Sequence, residues 1–391
     1  MRILYASERP PYPFFLGGAA RCAHQLLYAL TRELGAECVA VGSSDYQITP
    51  WSYPDPSDYV ALGILGVSRE GQGGSIDCGY PITVFPDFRN ALGRFIDTFR
   101  PDVVWAQLEG AKPIIELARS KGVQGLFFVH DAEFDPAELR SIGDLGCHVV
   151  CSSGFLAEKA RKLIGRSAHV VYPCPETNFG VAGDPHGYIT MVNPHRVKGI
   201  QTFVEIARRM PSEKFLLVES WKLTDQGLAA LEEQLASVPN VRFLSRVSDM
   251  RQIYGQTKLL LVPSVWEEGF GMVAVEAQSC RIPVVASARG GLPESVGDGG
   301  LLVDDYLNAE AWIGAIGNVL NDTGRYAAFA MRGVRHAAGE GFTTSCSARR
   351  FHEVCSARVR PRSALFRGIR ALVEGLDAVP GLRKMLSLIN R

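Results

Sequence analysis

The sequence predicts an α/β protein with two successive domains, each built on a parallel sheet. Short apolar segments alternate with helical patterns along most of the chain, which indicates parallel strands covered by helices on both faces. Residues 172–184, which include Pro, Gly and Asn, interrupt this alternation, and a second series begins at residue 188. The chain has 391 residues, of which 47% are hydrophobic, so two large cores are possible.

The first series gives the elements of the N-terminal domain. Its first helix has a clear apolar face, because Ala23, Leu26, Leu27 and Leu30 recur at helical spacing. Residues 43–80 are rich in Gly, Ser, Pro and Tyr, and we expect a long loop with one or two short strands there. The predicted strands are 2–6, 39–42, 102–106, 125–129, 148–152 and 168–172, and the predicted helices are 19–34, 88–99, 112–121 and 154–163, the last with Ser153 as N-cap.

The second series gives the elements of the C-terminal domain. Its strands are apolar runs, as expected for strands buried on both faces of a parallel sheet. The predicted strands are 188–192, 214–219, 241–244, 258–262, 283–286 and 301–304. The predicted helices are one that begins after Gly199, followed by 225–236, 271–280, 308–320, 323–338 and 344–358.

Composition and charge argue against several classes of protein. The 41 basic and 41 acidic residues give a formal net charge of zero, so the composition implies no nucleic-acid partner. No apolar run is long enough to cross a bilayer, and the chain enters a strand at once, so we expect no secretory signal peptide. The nine cysteines form no C-x-x-C pair, and Cys147 with Cys151 lacks the second pair of a metal site. Free thiols in the cytoplasm are the preferred interpretation.

Residues 258–291 carry the strongest indication of chemistry. An apolar strand leads into a loop and a helix, with Glu268 before the helix and Glu276 inside it. The N-terminus of a helix suits a phosphate, because its amides are unpaired and its dipole is positive. Carboxylates would repel that phosphate unless they accept hydrogen bonds from sugar hydroxyls. The pattern favours a nucleotide-sugar site, and the alternative is a strand–loop–helix whose glutamates face solvent.

The segment 268–276, EGFGMVAVE, resembles the E-x7-E motif of retaining GT-B-type glycosyltransferases of family 4, the glycosyl transferases group 1. PVVA at 283–286 and GGLPE at 290–294 match that family in order and spacing. The resemblance implies the GT-B architecture, in which two Rossmann-like domains face each other across a cleft. It also implies that the first glutamate binds the donor sugar, the second binds the ribose, and amides between them hold the phosphates. The residues concerned are Glu268, Gly269, Phe270, Gly271, Met272, Val273 and Glu276.

The N-terminal domain contributes a histidine and two glycines. His130 follows the strand 125–129, so it should point into the cleft, and its ordinary pKa would let it exchange a proton near neutrality. The family has a histidine here, close to the donor sugar; the alternative is a histidine bonded to nearby backbone. Gly17 and Gly18 follow the first strand and resemble the family's Gly-Gly loop, which approaches the donor phosphate and the acceptor.

Lys198 resembles the family's donor-phosphate lysine in its Lys-Gly setting. Lys198 is a candidate catalytic residue because fixed cations stabilise a leaving diphosphate. The other two candidate catalytic residues are His130 and Glu268. The family's arginine, five or six positions before the lysine, is replaced here by Asn193 or Val192. Arg196 is the candidate to supply that charge, and the alternative is a solvated surface residue.

Two further positions bear on the donor. The turn that contains Val247 corresponds to the family's site for the nucleotide base. The family's Gly-x-Gly after the strand 214–219 is missing, and Trp221 stands there instead, where we expect it to cover the base or the sugar. On the acceptor side, Glu133 and Asp135 are candidate contacts. Trp51, Tyr53 and Tyr59 are candidates to stack on a sugar or to pack under their loop.

The implied reaction transfers a sugar from a nucleoside diphosphate to an acceptor hydroxyl with retention at the anomeric carbon. No Asp-x-Asp occurs in the sequence, so we expect no metal and no other cofactor. One alternative is another enzyme on the same architecture, such as an epimerase or a phosphorylase. The other is a non-catalytic nucleotide-sugar-binding partner in a glycan-assembly complex, which the missing arginine would favour.

The resemblance also sets the expected domain organisation. We expect an N-terminal acceptor domain at 1–175, a C-terminal donor domain at 176–343, and a helix at 344–360 that crosses back to the first domain. Residues 361–391 form a basic segment with leucines and isoleucine at helical spacing. Such a segment can lie on an anionic membrane surface, pack on the protein or bind a partner. We therefore expect a cytoplasmic protein, with peripheral contact to the inner face of the membrane as one possibility.

Overall fold

The computed structural model describes residues 1–15, 17–45, 54, 56, 59–60, 62–70, 73–245, 247 and 249–357, without the side chains of residues 69 and 70. The strands are β1 Arg2–Ser7, β2 Glu37–Ser43, β3 Gly66–Glu70, β4 Gly73–Asp77, β5 Pro81–Phe85, β6 Val103–Gln107, β7 Gln124–Val129, β8 His148–Cys151, β9 His169–Val170, β10 Tyr188–Val192, β11 Phe215–Val218, β12 Val241–Leu244, β13 Thr257–Val262, β14 Val284–Ser287 and β15 Gly300–Val303.

The helices fall between these strands and after the last of them. They are α1 Gly18–Leu34, α2 Phe88–Phe99, α3 Ala111–Ser120, α4 Pro136–Asp144, α5 Gly154–Ile164, α6 Ile200–Arg209, α7 Asp225–Leu235, α8 Arg251–Tyr254, α9 Met272–Ser279, α10 Leu292–Val296, α11 Ala309–Leu320, α12 Thr323–Ala337 and α13 Thr344–Ser356.

The first sheet has nine strands in the order β3-β4-β5-β2-β1-β6-β7-β8-β9. Its pairs are parallel, except that β4 runs antiparallel to both β3 and β5. Successive residues of a strand face opposite sides, so Ile3 and Tyr5 pack with α1 and α13 while Leu4 and Ala6 pack with α2 and α3. Both faces are therefore covered, which explains why the central strands are apolar throughout.

The second sheet has six parallel strands in the order β12-β11-β10-β13-β14-β15. The direction of winding reverses between β10 and β13, so the loops after these two strands diverge and leave a crevice at their carboxyl ends. The corresponding reversal in the first sheet lies between β1 and β6. The chain thus has two crevices of this kind, and the residues that follow β1, β6, β10 and β13 are placed to form a site.

Helix α13 returns to the first sheet after the second is complete. The ring centroid of Phe351 lies 4.6 Å from that of Trp105, and Phe351 belongs to the same buried cluster as α1. A C-terminal element therefore completes the core of the N-terminal half. The two halves are joined both by residues 171–187 and by this returning helix.

The structure confirms the α/β class with two parallel-sheet domains but adds elements that the sequence interpretation missed. Strand β5 was overlooked because it is short and begins with a proline. Helix α4 lies where a loop was expected, although Asp135 caps it by accepting a hydrogen bond from the amide of Ala137 at 2.8 Å and Pro136 occupies its first turn. Helix α8 is a single turn, too short for an amphipathic pattern.

Some of the predicted residues are not described by the structure. Trp51, Tyr53 and residues 361–391 lie outside the described residues. All nine cysteines lie inside them and are free, eight of them buried. Among the helices that the structure describes, none combines the length and the apolar composition that crossing a bilayer requires.

Candidate active site

A cavity of about 1260 Å³ lies between the two sheets, at the carboxyl ends of their central strands. Both domains contribute to its walls. Of the residues predicted to bind the donor or act in catalysis, the walls contain Gly17, Gly18, His130, Lys198, Glu268, Gly269, Phe270, Gly271, Met272 and Val273. Residues far apart in the sequence are thus brought to one cleft because strands of both sheets end there.

Glu268 and Lys198 form an ion pair on the C-terminal wall of this cavity. The Nζ atom of Lys198 donates to the two carboxylate oxygens of Glu268 at 2.7 and 2.9 Å, and Ser264 Oγ donates to Oε1 at 2.5 Å. The Glu268 side chain is 8% exposed and that of Lys198 is 17% exposed. Burial alone would raise the pKa of Glu268, but the charge and hydrogen bonds of Lys198, with the bond from Ser264, hold it below its ordinary value.

Two tryptophans flank the ammonium group of Lys198. Its Nζ atom lies 4.5 Å from the ring centroid of Trp266 and 5.1 Å from that of Trp221. The two indoles meet edge to face, with centroids 5.9 Å apart, and Trp221 remains 43% exposed. The aromatic faces stabilise the cation, so the ion pair is bounded by indoles and Trp221 presents apolar surface beside it.

The N-terminus of α9 opens onto the same wall. Gly271 is its N-cap with φ of 93°, a left-handed conformation that a side chain would strain, and the amides of Met272 and Val273 begin the helix. Gly269 serves a different purpose. A Cβ atom built there would overlap the carbonyl oxygen of His130, so the two domains touch where Gly269 has no side chain.

Glu276 lies one turn further along α9 and is buried, with 8% of the residue exposed. Its Oε2 accepts a hydrogen bond from the hydroxyl of Tyr254 at 2.7 Å. Burial raises the pKa of Glu276, and the Tyr254 hydrogen bond and the positive charge of Arg21 on α1 oppose that shift. The carboxylate therefore lies behind the cavity wall. Its partner Tyr254 belongs to α8, a helix that the sequence interpretation missed.

His130 stands at the end of β7, on the N-terminal wall. Its Nε2 lies 2.8 Å from Gln107 Oε1, and its ring is stacked on Phe128 with centroids 4.2 Å apart. Burial lowers the pKa of His130 to about 3. Burial disfavours the imidazolium, which opposes the expectation that this histidine exchanges a proton near neutrality.

The remaining candidates lie away from the cavity walls. Arg196 is exposed in the short turn before Lys198, and Val247 packs beside the buried cluster of Leu216, Val218 and Ile253. The carboxylate of Asp135 is engaged in capping α4, and Glu133 is exposed.

Tyr59, by contrast, packs against the core of the N-terminal domain. This position agrees with the packing interpretation of Tyr59.

Sequence reasoning missed four residues that shape the site: Gln107, Tyr254, Ser264 and Trp266. Gln107 was not singled out, although it ends a strand beside the crevice of the first sheet and is completely buried. Its position as a polar residue at the end of an apolar run was the available signal. Tyr254 carried no such signal, because its partner Glu276 lies 22 residues away, whereas Ser264 bonds Glu268 only four residues further along the same loop.

Comparison with protein families connects this geometry to known proteins. Residues 186–322 match the family model of glycosyl transferases group 1. A D-inositol 3-phosphate glycosyltransferase from Mycobacteroides abscessus is 36% identical over 177 residues, which cover 43% of this chain and 39% of that protein. The corresponding protein of Nocardia farcinica is 37% identical over 160 residues, covering 37% and 35%. The chain thus spans less than half the length of the curated relatives it matches.

Comparison with solved structures extends the likeness to most of the chain. HepE of Anabaena in complex with UDP-glucose superposes with a TM-score of 0.72 at 18% identity, over 91% of this chain and 99% of that one. Sucrose-phosphate synthase of Thermosynechococcus elongatus gives 0.69 at 18% identity, over 95% and 99%. At such identities the likeness concerns the fold. Residues 186–322 are therefore similar to the glycosyl transferases group 1, and the chain has the two-domain GT-B fold.

Proposed function

We propose that this protein transfers a glycosyl group from a nucleoside diphosphate sugar to an acceptor hydroxyl, with retention at the anomeric carbon and without a metal ion. The observation that carries the proposal is the Lys198–Glu268 pair beside the N-terminus of α9, facing His130 across the cleft. A cation, helix amides and a carboxylate in one cavity suit a ligand with a phosphate next to a sugar. The named ligands of HepE, UDP and UDP-glucose, belong to this class.

In this proposal the diphosphate lies against the first amides of α9 and Lys198. Lys198 must then exchange its bonds to Glu268 for bonds to phosphate oxygens, which frees the Glu268 carboxylate to accept from a sugar hydroxyl. Glu276 is the proposed partner of the ribose, and because it does not line the cavity its carboxylate must exchange a present hydrogen bond, such as that from Tyr254, for one from a ribose hydroxyl. In the free protein the two buried charges therefore neutralise each other. In the complex, phosphate oxygens of the donor bind Lys198 and a sugar hydroxyl binds Glu268.

The chemistry requires one bond to break and one to form on the same face of the sugar. The bond between the anomeric carbon and the leaving phosphate oxygen breaks, and negative charge grows on the diphosphate, where Lys198 and the α9 amides stabilise it. The acceptor oxygen attacks from the side of the departing phosphate, and its proton passes to a phosphate oxygen. Burial lowers the pKa of His130 and makes its imidazole a weak base, so the leaving group rather than the histidine takes the proton.

Binding of nucleotides is the first test. We expect calorimetry with EDTA present to show binding of one of UDP, GDP and ADP, and Lys198→Met to weaken it by about 1.5–3 kcal/mol, the value of a hydrogen bond to a charged group. Lys214→Met, an exposed lysine of the same domain, is the matched control and should leave the affinity unchanged. Binding that vanishes with EDTA would contradict metal independence. If none of the three nucleotides binds, the cleft is not a site for a nucleotide-sugar donor.

Trp221 is expected to contact the sugar portion of the donor. Its exposed indole lies beside the Lys198–Glu268 pair, whereas the predicted base site at Val247 packs elsewhere. We expect Trp221→Ala to weaken UDP-glucose binding by about 1 kcal/mol, as for other aromatic contacts. UDP binding should change less, and Trp221→Phe should preserve both. Equal losses for UDP and UDP-glucose in titrations of the alanine variant would instead place the base on Trp221.

A further inference from the structure

Gln107 ends β6 and is completely buried beneath the N-terminal wall of the cavity. Its Nε2 donates to the main-chain oxygen of Ala19 at 3.1 Å and to Tyr5 Oη at 3.0 Å. A main-chain carbonyl oxygen accepts hydrogen bonds and cannot donate them, so the amide nitrogen must be the atom that faces Ala19. This contact fixes the orientation of the Gln107 amide, and its oxygen must face the opposite side.

The partner on the opposite side is His130, whose Nε2 lies 2.8 Å from Gln107 Oε1. Because an amide oxygen can only accept, Nε2 must carry the proton. The imidazole is neutral, since burial lowers the pKa of His130 to about 3, and a neutral imidazole carries a single ring proton. Nδ1 is therefore unprotonated and accepts hydrogen bonds. Stacking on Phe128 limits rotation of the ring out of this arrangement.

We propose that Gln107 is a positioning residue that holds His130 in the Nε2–H tautomer, so that Nδ1 accepts a hydrogen bond from a hydroxyl of the donor sugar. The sugar contact rests on the proposed function, but the tautomer does not. The network also has a structural consequence. Ala19 lies in the first turn of α1, directly after Gly17 and Gly18, so Gln107 connects the start of α1 to the histidine on the next strand.

The tautomer can be measured without any substrate. In protein with ¹⁵N-labelled histidine, protonated and unprotonated ring nitrogens give well-separated resonances, and the signals of His130 are those that disappear in His130→Gln. We expect an unprotonated Nδ1 and a protonated Nε2 at pH 7. An Nδ1–H tautomer, or an imidazolium with both nitrogens protonated, would overturn the proposal whatever the protein binds.

The role of Gln107 is tested by two variants. Gln107→Met keeps the length of the side chain but offers His130 no amide oxygen, so we expect a mixture of tautomers and about tenfold weaker UDP-glucose binding. UDP affinity should stay within about twofold, because its proposed contacts lie on the other domain. Tyr5→Phe removes the second partner of the amide and leaves Ala19 in place, so the tautomer and both affinities should be unchanged.

Each alternative outcome has a distinct meaning. An unaltered His130 spectrum in Gln107→Met would show that Gln107 does not set the tautomer. Equal losses of UDP and UDP-glucose affinity in that variant would indicate a general structural effect and remove the sugar contact. If the wild-type protein binds neither ligand, the sugar contact and the proposed function both fail, whereas the histidine spectra still decide the positioning role.

Discussion

Replacing Glu268 by glutamine is expected to lower the rate of sugar transfer by about 100- to 1000-fold while UDP binds as tightly as before or more tightly. The substitution keeps the shape of the side chain but removes the charge that pairs with Lys198 at 2.7 and 2.9 Å. In the free protein this pairing competes with the diphosphate for Lys198. Without the carboxylate charge the lysine is available to UDP at once, whereas the hydroxyl of the donor sugar faces a neutral amide in place of a charged hydrogen-bond acceptor.

The same variant should be less stable, and the loss should be reversed by UDP. Lys198 is only 17% exposed and would keep an ammonium group without a counter-charge, an arrangement that costs about 3 kcal/mol when a buried pair is broken. A bound diphosphate supplies the missing charge, so the melting temperature of Glu268→Gln should rise more on addition of UDP than that of the wild type.

Activity assays, calorimetry and thermal unfolding together test this prediction. Glu267→Gln is the matched control. Glu267 is the adjacent carboxylate, but its side chain is 38% exposed and its ion pair with Lys159 at 2.7 Å lies at the surface, where such pairs contribute about 0–1 kcal/mol. Transfer that survives in Glu268→Gln would remove this residue from the sugar site. Weaker UDP binding in that variant would show that Glu268 does not compete for Lys198.

The sequence predicted the placement of those site residues whose positions depend on local chain geometry. Glu268, Gly271 and Met272 lie where a strand–loop–helix unit must place them, and Lys198 lies in the loop after β10, at the reversal of the sheet. Their positions follow from short-range chain geometry and from strand order. The sequence motif and the predicted order of the strands were therefore sufficient to place these residues. The same holds for Ser153, whose side chain caps α5 as expected.

The sequence could not predict which hydrogen-bond and charge partners these residues have. The pairing of Lys198 with Glu268 joins positions 70 residues apart, and the partners of His130 and Glu276 come from other strands and helices. His130 illustrates the consequence. Its position in the cavity wall was predicted correctly, but burial lowers its pKa, and the sequence does not show that burial. Chemistry that depends on desolvation becomes visible only when the fold is known.

Replacing Gly269 by alanine is expected to lower transfer about 100-fold and to leave UDP binding nearly unchanged, while the melting temperature falls because the new methyl group must displace backbone. Gly269 does not have a positive φ, so alanine fits its backbone, but the new methyl group would overlap the carbonyl oxygen of His130 in the other domain. The domains must then separate locally by about 1 Å, and a displacement of that size between reacting groups can reduce a rate by about 100-fold. Each domain keeps its own core, and the proposed UDP contacts belong to the C-terminal domain.

The comparison with Gly314→Ala isolates the contact between the domains. Gly314 lies in α11, and no atom would contact a Cβ added there, so alanine changes helix propensity only. The variant should leave transfer unchanged and should raise stability slightly. Full activity in Gly269→Ala would mean that catalysis does not require the closed contact between Gly269 and His130. Reduced UDP affinity would mean that the methyl group distorts the start of α9 instead of the domain interface. Loss of transfer with intact UDP binding in Gly269→Ala, and full transfer in Gly314→Ala, is the result expected from domain separation, because the cation of the donor domain is then unaltered and its distance from His130 has changed.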